Sequence, residues 1–218
     1  MAAFTRAMAW DGLRPRVLHS HARALLDATR DAEELLREAL GAKKLKELRR
    51  QRNRLADNGE VAFRVVTAAD DVQAALEAFL ALEAAGWKGA RGTALGAKSG
   101  DAAFVREAVP ALVRDGQARM MTLSAGDRIV ATGVVLHHLD RACFFKIVYD
   151  ETLAKTSPGV QLTLDLTRAL CADPAVGSVD SIAVSNHPMI DHIWRDRLAI
   201  ADLLLPARGG AITLRPLA

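Results

Sequence analysis

Residues 155–159 read Lys-Thr-Ser-Pro-Gly and stand where an apolar strand gives way to an amphipathic run. Ser157 is expected to be the N-cap of a helix, its hydroxyl accepting from an amide one turn in. Pro158 suits the first helical position, where its missing N–H is not needed. Gly159 has no side chain to block close approach. The amides of Gly159, Val160 and Gln161 then leave the helix end without an intrahelical partner. The first acid inside this helix is Asp165, two turns in. The partial positive charge of the helix end is therefore left for an outside anion, with Lys155 beside it. A helix end that is merely capped is the structural alternative.

Groups able to move protons lie on both sides of this stretch. Asp150 and Glu151 end the strand before it, and His137 and His138 end the strand before that. Strict alternation would place Phe144, Lys146, Val148 and Asp150 on one face. A simple Lys146–Asp150 ion pair would satisfy that arrangement as well as catalysis would. His187 and Asp191 are four residues apart and share a helix face if 188–197 is helical. They suit a histidine–carboxylate pair, and as a metal site they lack a third ligand. No metal is expected. The loop Gly86-Trp-Lys-Gly-Ala-Arg-Gly offers a flat ring at Trp87 and charge at Lys88 and Arg91, which marks it as a recognition surface.

The chain has 218 residues, half hydrophobic and a quarter charged, which fits a globular protein with a sizeable core. Its two cysteines, Cys143 and Cys171, have no CxxC or Cys/His ligand spacing and sit among apolar neighbours. They read as core residues in a reducing, cytoplasmic setting. The first fifteen residues lack the apolar core of a signal peptide, and no run approaches the ~20 apolar residues needed to span a bilayer. The formal charge is only +3, but residues 43–54 hold seven basic side chains and one acid. That segment is either a solvated helix face or a phosphate-binding patch. Aromatic content of 5% gives little support for base stacking, so nucleic acid is not the expected partner.

Leucines at helical spacing predict a helix over 19–56, broken near Gly41. A strand is predicted over 61–67, then helices over 70–86 and 101–116, the second kinked or stopped near Pro110. Three strands with very short connections follow between 117 and 151 and imply an antiparallel meander. A helix over 158–171, a strand over 179–184, a short helix over 188–197 and one or two terminal strands complete the order. The expected fold is α/β (α+β): a mixed, mostly antiparallel sheet flanked by helices. Residues 1–56 are expected to form an N-terminal helical extension and 57–218 the main domain.

Three stretches carry a resemblance: 82–95 (LEAAGWKGARGTAL), 144–162 (FFKIVYDETLAKTSPGVQL) and 187–200 (HPMIDHIWRDRLAI). With the element order, they make residues 60–205 resemble the GNAT acyltransferase superfamily. More narrowly, they resemble the branch associated with cellulose and polysaccharide biosynthesis, related to Fem-type aminoacyltransferases. The resemblance implies acyl transfer from acetyl-CoA, or another acyl-CoA, to an amine or hydroxyl of a small molecule or saccharide. It implies a donor along the strand amides of Ile147, Val148 and Tyr149, and phosphates on Lys155, Ser157, Gly159, Val160 and Gln161. Asp150, Glu151, His187 and Asp191 become the catalytic candidates. Trp87, Lys88, Arg91, His138 and Lys146 become the acceptor candidates. The superfamily's usual thiolate-protonating tyrosine has no counterpart in 184–194, where Trp194 stands within one residue of the expected place. A non-catalytic binding module on the same fold, and Fem-like transfer from charged tRNA, are the alternatives. A homodimer is compatible with all of them.

Overall fold

The computed structural model describes residues 15–205 together with 6, 8–10 and 12. Strands β1 (Arg16–Asp27), β2 (Val61–Val66), β3 (Ala118–Ala125), β4 (Arg128–His138), β5 (Arg141–Tyr149), β6 (Ser178–Asp180) and β7 (Asp196–Leu204) form one sheet. Their order is β2-β3-β4-β5-β6-β1-β7. The helices are α1 (Ala32–Leu55), α2 (Ala69–Ala85), α3 (Trp87–Ala90), α4 (Ser99–Arg114), α5 (Pro158–Cys171) and α6 (Ile190–Ile193).

β2 pairs antiparallel with β3, β3 with β4 and β4 with β5, and the last two pairs are joined by the short turns that antiparallel strands allow. Among the described strands only β5 and β6 are parallel, and α5 is the crossover between them. A sheet with both faces covered needs two apolar cores. One joins Leu36, Leu48 and Leu55 of α1 to Leu162, Leu166 and Leu170 of α5 and to Trp194. The other joins Leu76 and Phe79 of α2 to Val105 and Val109 of α4 across the opposite face.

The predicted helix over 19–56 is corrected over its first part. Residues 16–27 form β1, paired with β7 along its length and with β6 at Leu25–Asp27. Ala24 and Leu26 are buried on one face, the period of a strand. The alanines of this segment carry little strand propensity, so pairing rather than local preference decides its state. Asp31 marks the true helix start, its carboxylate accepting from the Glu34 amide at 2.8 Å. The expected break at Gly41 is present, with φ 71° and ψ 163°.

α4 continues through Pro110 to Arg114. Near the C-terminus, the predicted helix over 188–197 contracts to α6, because residues 196–204 leave to pair with β1 as β7. The strand expected over 179–184 ends at Asp180.

Candidate active site

β5 carries an extra residue. Val134 and Val135 of β4 are adjacent, yet their partners are Lys146 and Phe144, which leaves Phe145 as a bulge. The Gly133 backbone makes room for it: a Cβ there would come within 2.9 Å of the Phe144 ring and 3.2 Å of the Lys146 carbonyl. The bulge switches faces along the strand. Phe144 packs with Trp194 in the core under α5, whereas Val148 packs in the core under α2. The expected single face of Phe144, Lys146, Val148 and Asp150 is therefore corrected, because strict alternation fails at a bulge.

β5 and β6 pair for three residues only, Arg141–Cys143 with Ser178–Asp180. Beyond them Ser181 donates its amide to Ala24 of β1, so the β6 chain stays with β1 while β5 diverges. The result is a cleft of about 600 Å³, within the range of ligand sites. The Asp150 amide donates to Val130 at 2.8 Å. Alternation from that bond commits the Val148 backbone to β4 and turns the amides and carbonyls of Ile147 and Tyr149 toward the cleft.

The start of α5 forms the cleft's far wall at Ser157, Gly159 and Val160. The Ser157 hydroxyl does not cap the helix, contrary to expectation: Ser157 is left-handed (φ 53°) and makes no side-chain capping bond. It closes a 3₁₀ turn over Glu151–Thr156, donating its amide to Ala154 and accepting from the Gln161 amide at 3.0 Å. The Gln161 amide is thus occupied, which leaves those of Gly159 and Val160 at the helix mouth. The Gln161 side chain is buried and donates to the Leu48 carbonyl at 2.8 Å. No acid stands in the first turn. Lys155 is exposed, just before the turn ends. Gly159 is held bare by Tyr149, whose ring lies 3.0 Å from where a Cβ would sit.

The proton-bearing candidates separate clearly. His187 lines the cleft. Its Nδ1 accepts from the amides of Met189 and Ile190 at 3.2 and 3.4 Å, which assigns the neutral ring's proton to Nε2. The expected His187–Asp191 pair does not form. Asp191 turns to Arg197 at 3.6 Å because α6 is too short to align the two side chains. Asp150 is buried and fully engaged: it pairs with Arg128 and accepts from the amide and hydroxyl of Thr152 at 3.0 and 2.6 Å. The Lys146–Asp150 pair is absent for the same reason. Asp150→Ala is expected to cost about 1–2 kcal/mol of stability, the scale of losing a carboxylate's hydrogen bonds when its partners, Arg128 and Thr152, are exposed and can turn to water, as read by chemical denaturation.

Glu151 accepts from the Trp87 amide at 3.0 Å and so ties α3 to the end of β5. Trp87 and Lys88 line the cleft. The Arg91 guanidinium stacks 5.1 Å from the Trp87 ring centre. His137 and His138 lie at the other end of the strand, beside the β4–β5 turn where His138 pairs with Arg141. Trp194 is a core residue, its indole N–H donating to Thr167 at 2.9 Å. Both cysteines are free, and burial pushes the Cys171 thiol up to about 11 and the Cys143 thiol in the same direction.

One residue escaped sequence reasoning. Glu83 of α2 is buried, with its carboxylate accepting from Lys88 Nζ at 2.8 Å and the Leu95 amide at 2.7 Å. Lys146 Nζ lies 3.6 Å away. The signal was present: Glu83 continues the buried stripe of Leu76, Phe79 and Leu80, where an acid needs partners.

Among the described residues no group of three His, Cys, Asp or Glu is placed to hold a metal, and no helix is long and apolar enough to cross a membrane.

The model of the acetyltransferase (GNAT) domain family matches residues 42–185. The chain belongs to that family. The matched residues run from the second half of α1 to just before His187, so β5, α5 and β6 are all GNAT elements. No curated protein matches the chain in sequence. Solved structures share the GNAT fold at low identity. A conserved protein of unknown function from Bacteroides thetaiotaomicron superposes with a TM-score of 0.54 at 11% identity, over 82% of this chain and 56% of its own. FemX superposes at 0.57 and 6% identity, over 89% of this chain and 65% of its own. This GNAT chain therefore spans between half and two thirds of the length of those two neighbours.

Proposed function

We propose that the protein is an acyl-CoA-dependent acyltransferase, with acetyl-CoA as its donor and an amine as its acceptor. One observation carries this reading: a cleft between the diverging strands β5 and β6 exposes strand amides at Ile147 and Tyr149 and ends on the acid-free mouth of α5. A pantetheine chain fits beside such amides as an added strand does, and a pyrophosphate fits the Gly159 and Val160 amides. In the transfer, the acceptor nitrogen attacks the thioester carbonyl, the C–N bond forms, the C–S bond breaks and coenzyme A leaves. A backbone amide of β5 faces the developing oxyanion. His187 Nε2–H hydrogen-bonds to the leaving thiolate, and the proton released by the ammonium formed on the acceptor passes through water to that sulfur. Among the described residues no carboxylate stands in the cleft lining, and Glu83 and Glu151, which border the recess beside Trp87 and Lys88, are already bonded; this favours a neutral amine over a hydroxyl that would need a strong base. The acceptor belongs to the small-molecule or saccharide class implied by the polysaccharide-associated branch.

Calorimetric titration with acetyl-CoA, coenzyme A and dephospho-coenzyme A tests the donor. Micromolar binding of acetyl-CoA is expected, and no binding by folded protein at millimolar donor would overturn the reading. Gly159→Leu is expected to weaken acetyl-CoA about tenfold or more, because its side chain displaces the Tyr149 ring and covers the amides. The melting temperature reports whether the fold is kept, and unchanged affinity would sink the α5 assignment.

A further inference from the structure

The charges along the cleft are one-sided. Among the described residues, Lys88 and Lys146 line it and no Asp or Glu does, with Glu151 bordering only the adjoining recess. Beneath them lies the single Glu83 carboxylate, fully shielded from solvent. Two ammonium groups thus share one anion. Lys88 is hydrogen-bonded to it at 2.8 Å, while Lys146 stands off at 3.6 Å with donors to spare. Both lysine side chains are about three-quarters shielded, at 23% and 26% exposure, where an excess charge is poorly screened. Lys146 is three residues before Tyr149, so it lies about 10 Å along β5 from the ring that rests on Gly159. Its backbone is therefore set back from the α5 mouth, at the end of the cleft where its Nζ shares Glu83 with Lys88.

Resting on the acyltransferase reading, we propose that this end is an acceptor subsite for a carboxylate. The acceptor would be an amine that also bears a carboxylate, anchored by Lys146 with the Trp87 ring beside it. The excess is one positive charge, which suits a monoanion better than a phosphate dianion. Arg91, stacked on Trp87 outside the lining, and Glu151, bonded to the Trp87 amide, are the remaining charges nearby.

The test uses two probes, N-acetylglycine and its neutral amide, titrated into the full chain while the Trp87 indole and Ile147 amide signals are followed by NMR. N-acetylglycine is expected to bind about tenfold or more tightly than the amide, as one charge-assisted bond would give. Lys146→Met is expected to erase the preference, Lys146→Arg to keep it, and added salt to weaken it. Equal binding of the two probes, or a preference that survives Lys146→Met, would overturn the proposal. So would a loss of acetyl-CoA affinity in Lys146→Met, which would place that lysine in the donor site. Wild-type protein that keeps the carboxylate preference but binds no acetyl-CoA would remove the acyltransferase reading while leaving the anion subsite standing.

Discussion

Glu83→Ala is expected to destabilise the protein by about 3–5 kcal/mol, the cost of leaving buried charge unpaired. The substitution strips Lys88 of its hydrogen-bonded partner, removes the nearest anion from Lys146 and orphans the Leu95 amide. Those contacts also hold α3 against α2, so Trp87 and its side of the cleft should loosen with them. Replacing both members of the short pair with apolar residues, as in Glu83→Met with Lys88→Met, should recover much of the loss, because the desolvation cost disappears with the charges. A double variant as unstable as the single one would contradict this. The pH dependence has a definite sign. Burial alone would raise the Glu83 carboxyl, but the Lys88 bond, the Leu95 amide and the Lys146 charge outweigh it and hold the group below its usual value of 4.5. The stability it supplies is thus present above that value and lost as pH falls through the lower, folded one. Thermal melts of wild type and Glu83→Gln should accordingly converge in acid.

His187→Ala is expected to lower turnover by about a hundredfold, the usual scale for a positioned hydrogen-bond donor to developing charge, with acetyl-CoA affinity little changed. His187 also accepts from two backbone amides at the start of α6, so a second variant is needed to separate the roles. His187→Asn keeps an acceptor for those amides and loses the Nε2 proton. It should fold like wild type and turn over as slowly as the alanine variant. Wild-type turnover in His187→Asn would make the residue structural and pass the hydrogen bond to the leaving sulfur to Tyr149, the chain's single tyrosine, which also lines the cleft.

The fold was legible where local pattern and tertiary structure agree. The meander announced itself through its two short turns, and α5 through Pro158 and its leucines. β1 was hidden because its burial comes from partners far along the chain, β6 and β7, and its alanines and leucines mimic a helix. Of the candidate site, the mouth of α5 could be read from the missing acids. The Trp87 loop could be read from its mixture of ring, charge and glycine. The bulge could not, since one extra residue in a strand leaves no mark in composition. It was the bulge that changed which residues share a face, separating Phe144 from Lys146 and Val148. The roles of Asp150 and Glu151 were obscure for a similar reason. Acids that end a strand look alike in sequence, and only the structure shows one bound to Arg128 and the other to the Trp87 amide.

The most direct test of the donor site follows backbone amides by NMR as acetyl-CoA is added. The largest shifts, and new protection from hydrogen exchange, are expected at Ile147, Tyr149, Gly159 and Val160, with little change at Val148, whose amide already serves β4. Changes confined to the basic face of α1, with the cleft amides unmoved, would contradict a donor lying between β5 and β6.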